Sequence, residues 1–179
     1  TIYEFLIKKT ELDALDMFGF NTLSLIYDIY TPTSKIEDRD FFLNVNNDLN
    51  IVNERIKRIT GEYSYIVRFP GGSSNTISRR YSQGIMTTLT QEVVNRGYKY
   101  YDWNVSSGDA AGGSPSPDTI RNNVVNALRK DRINMVLMHD IKTYTRDALR
   151  DIIRYGKENG YTFEKITINT EMVKQRVNN

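Results

Sequence analysis

Apolar residues in this chain fall into short runs separated by longer stretches in which they recur every third or fourth position. The runs are Ile2 to Ile7, Thr22 to Ile29, Tyr65 to Phe69, Tyr98 to Val105, Ile133 to Met138 and Tyr161 to Ile166. Their length and their bounding Gly, Pro and Asn residues predict strands. The periodic stretches predict helices. One is short, Glu11 to Met17. The next opens at a Ser34–Glu37 capping-box pair and places Phe41, Phe42, Val45, Leu49, Val52, Ile56 and Ile59 on one face, until Gly61 ends it. A third runs from about Ser78 to Arg96, with Ile85, Met86, Leu89 and Val93 turned inward and Gly97 as its stop. Ser116-Pro117 is an N-cap followed by proline at the first helical position, opening a helix to about Arg129. Asp147 to Asn159 is the last, ended by Gly160. Alternation of this kind predicts an α/β chain with a largely parallel sheet. Gly112 to Pro117 is the expected flexible loop, and no internal repeat or low-complexity tract interrupts the pattern.

The pattern also locates candidate chemistry. In parallel β/α folds, ligands bind at the carboxyl ends of strands. Arg68, the segment Asn104 to Asp109, and His139 all fall at such ends. Composition then narrows what they can do. A chain of 179 residues with 39% apolar and 26% charged residues is sized for one globular domain, here taken as residues 1–179. The net charge of +2, with Lys and Arg scattered, argues against a nucleic-acid partner. No apolar run reaches membrane-spanning length, so no membrane contact is expected from this segment. The absence of cysteine excludes disulfides, thiolate chemistry and Cys-ligated zinc. With His139 as the one histidine, a metal site built on two histidines cannot form within the chain. Because the chain opens on Thr1 rather than Met, it is expected to be a processed piece, and no signal or anchor is expected within it.

Three stretches, RFPGGSSN (Arg68 to Asn75), YDWNVSSGDA (Tyr101 to Ala110) and VLMHD (Val136 to Asp140), resemble consecutive motifs of the polysaccharide deacetylases. These are the NodB-homology enzymes, or carbohydrate esterase family 4, and the similarity is greatest to the bacterial peptidoglycan N-acetylglucosamine deacetylases. The closing GYTFEKIT (Gly160 to Thr167) agrees as well, and the resemblance is strong from about Ile36 to Thr167. It implies an irregular NodB-like barrel of about seven β/α units, trimmed at the N-terminal part. It also implies an extracellular or cell-surface setting and a cell-wall glycan partner, a polymer of N-acetylglucosamine. Active relatives use zinc or another divalent metal, with an Asp base and two histidines from N-terminal motifs. Arg68, Pro70 and Gly72 match the RxPxG motif whose arginine holds the base. Leu137 and His139 match the LxH motif whose histidine protonates the leaving amine. Trp103 to Asp109 match the motif between them, in which Asp109 is the carboxylate expected beside the histidine. Ala110 replaces a tryptophan common there.

The front of the chain departs from the family. One alignment places Ile7 and Lys8 where the two aspartates belong; another lays NTLSLIYDIY (Asn21 to Tyr30) over the histidine motif, with Ile and Tyr in place of both histidines. Either way no metal ligands and no bound cofactor are expected in this chain. Arg68 is then expected to pair with a remaining acid such as Asp109 as a structural ion pair, and His139 to be a satisfied, hydrogen-bonded residue, with Arg68, Asp109 and His139 vestigial as catalysts. Pro70, Gly72, Trp103 and Leu137 are the expected substrate-binding residues. Of the aromatics Tyr98, Tyr100, Tyr101 and Trp103, strand alternation leaves only a subset to line a groove. The expected function is a degenerate deacetylase-like domain that binds glycan or a partner without hydrolysis. The alternative is a fragment or edited form of an active metal-dependent polysaccharide deacetylase.

Overall fold

The structure, a computed structural model, describes residues 38–80 and 82–179, the side chains of 38–48 excepted. The expected strands at Ile2 to Ile7 and Thr22 to Ile29, the helix at Glu11 to Met17 and the Ser34–Glu37 capping box lie outside them. The elements, in order, are α1 (Asp38–Thr60), β1 (Ile66–Val67), a 3-10 turn (Ser78–Arg80), α2 (Ile85–Asn95), β2 (Lys99–Tyr100), β3 (Val105–Ser106), α3 (Pro117–Ala127), β4 (Val136–Leu137) and α4 (Thr143–Glu158). They divide into two compact units. One holds the described residues up to Tyr100 with Ile166–Thr170 and Arg176–Asn179, the other Tyr101–Lys165 with Glu171–Gln175.

In the first unit β1 and β2 pair in parallel, Ile66 opposite Lys99 and Val67 opposite Tyr100. Val93, Tyr98 and Tyr100 form one buried cluster against Leu49, Val67 and Phe69, and Ile85, Met86 and Leu89 form another against Leu49, Phe69 and Val177. The expected face of α1 therefore does reach the core through Leu49. It also buries Asn53, whose Nδ2 donates to the Tyr98 hydroxyl at 3.2 Å while its Oδ1 accepts the Ser64 N–H at 2.7 Å. A buried amide survives there because both of its ends are bonded.

The second unit is a parallel pair, β3 with β4, covered by α3 and α4. Val105 lies opposite Val136, and Ser106 opposite Leu137. Val105, Ile120, Val124, Ala148 and Ile152 make its core, and Val136, Met138 and Tyr144 pack around them. Ile120 and Val124 are fully buried, each worth about 1.5–3 kcal/mol of hydrophobic stabilisation. α4 buries Thr145, Ala148, Ile152 and Gly156, a stripe at helical spacing. Gly156 lets Phe163 close in at its end; a Cβ there would stand 2.5 Å from the ring, which would have to shift.

Four boundaries differ from the sequence expectation. The stretch Ser78 to Arg96 is broken: Gly84 takes φ 82°, a left-handed conformation no α-helix contains, so α2 starts only at Ile85. Tyr98 to Val105 is two strands in two sheets. Between them the Asp102 N–H turns to the Val173 carbonyl at 2.8 Å, while Asn104 bridges to Ile133 and Met135 through its side chain. α4 begins at Thr143, four residues before the expected Asp147. Tyr161 to Ile166 forms no strand, because its chain folds back onto α4. The Tyr161 N–H donates to the Gly156 carbonyl at 2.9 Å after Gly160 (φ 70°), and Phe163 covers Gly156.

The start of α2 is capped from 95 residues away. Asn179 Oδ1 accepts the Gly84 N–H at 2.8 Å, its Nδ2 donates to Ser78 Oγ at 2.8 Å, and its backbone carbonyl accepts the N–H and hydroxyl of Thr87. The helix has no side-chain cap of its own. Asn179→Ala is expected to cost about 1–2 kcal/mol in urea unfolding, the usual loss on deleting a cap. Asn179→Asp, which keeps the acceptor for Gly84, should cost less; equal stability of wild type and the alanine variant would refute the cap.

Candidate functional site

β3 and β4 end side by side because they are paired in register, and each runs on into a residue that carries chemistry. β3 continues through Ser107 and Gly108 to Asp109; β4 continues through Met138 to His139. Ser107 is fully buried, its N–H bonded to the Leu137 carbonyl at 3.2 Å and its hydroxyl accepting the Asp109 N–H at 3.3 Å. Gly108 makes the bend at φ 73°, and a Cβ added there would lie 2.9 Å from Asn123 Nδ2. That amide is held in place, donating to the Ser107 carbonyl at 2.9 Å. The turn is therefore fixed twice, by backbone conformation and by close approach.

The result is a buried carboxylate, Asp109 being 3% exposed, with every oxygen used. Oδ1 meets His139 Nδ1 at 2.8 Å; Oδ2 accepts the His139 backbone N–H at 2.6 Å and the Thr145 hydroxyl at 2.9 Å. The Tyr144 hydroxyl donates to the Asp109 carbonyl at 3.2 Å, so the first turn of α4 grips both the main chain and the side chain of this residue. Burial pushes the Asp109 carboxyl up, but bonds from the His139 ring, the His139 N–H, Thr145 and Ser107 outweigh it and hold the group below the ordinary carboxylate value. An ionised carboxylate only accepts, so Nδ1 carries the proton of this bond. Nε2 is then the nitrogen left for other chemistry, on a side chain that is 32% exposed. A histidine oriented by a carboxylate, with its far nitrogen open, is the arrangement that moves protons in acid–base catalysis.

The second unit thus brings together Asp109, His139 and, one strand position earlier, Leu137. Trp103 belongs to the same unit, half-buried, with its carbonyl accepting Gln175 Nε2 at 3.0 Å. Tyr98, Tyr100 and Tyr101 are all buried, so Trp103 is the partly exposed ring of that group. Arg68, Pro70 and Gly72 lie in the first unit. Arg68 is exposed, Pro70 half-buried and Gly72 buried. Their loop is wound around Asn75, whose Nδ2 donates to the Pro70 carbonyl at 3.1 Å and whose Oδ1 accepts the Ile77 N–H at 2.8 Å. The hydrogen-bond donors named above for the Asp109 side chain belong to its own unit. Sequence reasoning missed Ser107, Asn123, Tyr144 and Thr145. A signal existed for the first two in the glycine at 108, which demands a close neighbour; none existed for the helix residues.

The divalent metal that the resemblance implies does not fit this cluster. Among the described residues no three His, Cys, Asp or Glu side chains converge on one point, Asp109 spends both oxygens on protein donors, and His139 offers Nε2 alone.

Comparison with solved structures places the chain. The catalytic domain of a peptidoglycan N-acetylglucosamine deacetylase from Eubacterium rectale is 44% identical to it, with a TM-score of 0.73 over 80% of this chain and 63% of that one. The chain belongs to the polysaccharide deacetylase family. A polysaccharide deacetylase from Bacillus cereus is 27% identical, with a TM-score of 0.60 over 73% of this chain and 61% of the other. A carbohydrate esterase family 4 enzyme from Streptococcus mutans, 22% identical with a TM-score of 0.54 over 78% and 58% of the two chains, shares the fold. This deacetylase-family chain therefore spans less than two thirds of each solved relative. No protein-family model and no curated protein sequence matches it.

Two outcomes follow from the geometry. Gly108→Ala should destabilise by about 1–3 kcal/mol, the usual cost of a non-glycine residue held in the left-handed region, read by denaturant unfolding. Because the Asp109 carboxyl sits lower in the folded state, the unfolded chain takes up its proton first as pH falls. Its contribution to stability should be fully present above the ordinary carboxylate value of 3.8 and drain away below it. Unfolding free energies from about pH 5 to about pH 2 should fall more steeply for wild type than for Asp109→Asn; parallel curves would contradict the assignment.

Proposed function

We propose that this chain is a deacetylase-like glycan-binding domain that keeps the leaving-group half of the family's site and, by itself, does not release acetate. Its ligand class is cell-wall glycan built on N-acetylglucosamine, the substrate named for the Eubacterium rectale relative. The observation that carries the reading is the Asp109–His139 pair, with Nδ1 on the carboxylate and Nε2 left open. In the family's reaction a histidine so held gives its proton to the departing amine. The other half of that reaction needs a divalent metal and a base carboxylate, and the chain's one histidine is already committed through Nδ1. The architecture proposed is an irregular NodB-like β/α barrel trimmed at its N-terminal part, in an extracellular or cell-surface setting. Trp103 and Leu137 in the second unit, and Pro70 and Gly72 in the first, are proposed as glycan-binding residues. Arg68, Asp109 and His139 occupy the positions of catalytic residues without a complete reaction to serve.

A second reading is favoured by how completely the pair is built. A proton donor needs what is present here: Nδ1 held by an ionised carboxylate, and Nε2 left over on a side chain that is 32% exposed. In that reading the chain is part of an active metal-dependent polysaccharide deacetylase whose metal ligands come from residues other than the described ones.

Metal content by mass spectrometry, with acetate release from N-acetylglucosamine oligomers, separates the two. The first reading expects neither stoichiometric zinc nor acetate, together with a shift of the fluorescence of Trp103, the one tryptophan, on adding chitooligosaccharide. Stoichiometric zinc and acetate release abolished by His139→Ala would establish the second reading instead. No fluorescence shift at millimolar ligand would count against glycan binding.

A further inference from the structure

Two of the donors to the Asp109 side chain come from a single residue: the His139 ring holds Oδ1 and the His139 backbone N–H holds Oδ2. Those bonds tie the carboxylate to His139 without tying either group to a third element. Thr145 does that. Its hydroxyl donates to Oδ2 at 2.9 Å from the first turn of α4, and the side chain is 5% exposed. The helix that carries it is seated in the core through Ala148 and Ile152. A threonine in a helix ordinarily bonds back to a carbonyl of its own preceding turn. Here the hydroxyl is spent across the structure on the carboxylate.

We propose that Thr145 is a positioning residue. Its hydroxyl locks Asp109 in the one orientation that keeps the His139 proton on Nδ1 and leaves Nε2 open. Which imidazole nitrogen bears the proton is set by the hydrogen bond the other group makes. A carboxylate free to rotate about its last bond would meet Nδ1 only part of the time, and the ring would then populate its other tautomer. Tyr144, the neighbour on the same turn, fixes the Asp109 main chain at 3.2 Å, and Thr145 adds to Oδ2 a second bond beside that of the His139 N–H.

The inference rests on the proposed acid role of His139 for its catalytic meaning, but the ring itself can be read directly. With one histidine in the chain, the ring nitrogens give one pair of nitrogen-15 resonances. Wild type with a neutral ring should show a protonated Nδ1 and a bare Nε2. Thr145→Val keeps the shape and removes the hydroxyl; its two resonances should move toward each other as the second tautomer gains population. Thr145→Ser, which keeps the hydroxyl and removes the methyl, should match wild type even if its stability falls. A valine variant with wild-type resonances, or a serine variant that behaves like valine, overturns the proposal. If valine does not fold, Thr145→Ala makes the same deletion; failure of both to fold would show a structural residue and overturn it as well. Chitooligosaccharide titration of Trp103 fluorescence in wild type separates the two ideas. A tautomer that follows the hydroxyl in a protein that binds no glycan leaves the positioning role standing and the functional reading fallen; the reverse pattern does the opposite.

Discussion

The carboxylate of Asp109 is the point on which the second unit turns. It stands at the end of β3, takes two donors from the end of β4 and one from the first turn of α4, and its own carbonyl takes a second from that turn. Three elements are therefore registered against one buried charge. A charge taken out of water is tolerated only when every lone pair is satisfied, so the surroundings must be built to close tolerances. The buried Ser107, the left-handed Gly108 and the bridging Asn123 are the means: Ser107 Oγ takes the Asp109 N–H at 3.3 Å, and Asn123 holds the Ser107 carbonyl at 2.9 Å. α4 has no side-chain cap and no acid in its first turn, and this carboxylate supplies the negative charge that a helix start favours.

The same constraint shapes the chemistry. A carboxylate kept ionised beside an imidazole fixes its tautomer and leaves one ring nitrogen outward, which suits proton donation to a leaving group. It does not suit metal binding, because the oxygens that would face a cation already face protein donors. The proposed reading gives the chain the leaving-group half of a deacetylase site. Membership of the polysaccharide deacetylase family supplies the context in which that half has meaning.

How much of this was legible in the sequence depends on where each partner lies along the chain. α3 begins where Ser116 and Pro117 say it should, because Ser116 Oγ accepts the Thr119 N–H three residues on, at 3.1 Å. α2 and α4 begin elsewhere than expected. α2 takes its cap from Asn179, and α4 has its first turn bonded to Asp109, partners no local pattern can announce. The strands at Tyr98 to Val105 and Tyr161 to Ile166 failed for a related reason. Apolar alternation reports a preference for extended chain, whereas pairing needs a neighbour in register. For Tyr161 the neighbour is a helix end and a glycine, not a strand.

The sequence by itself determined what the chemistry could be made from: one histidine, no cysteine, an acid and a histidine at the ends of strands, glycines where the chain must bend left-handed. These follow from residue type and short-range spacing, which bonds within a few positions enforce. Tertiary structure decided that Asp109 and His139, thirty residues apart, share a 2.8 Å bond, and that Thr145, thirty-six away, completes it. Strand register and helix seating set those contacts, through burial energies spread over the whole core, and no window of sequence contains both partners.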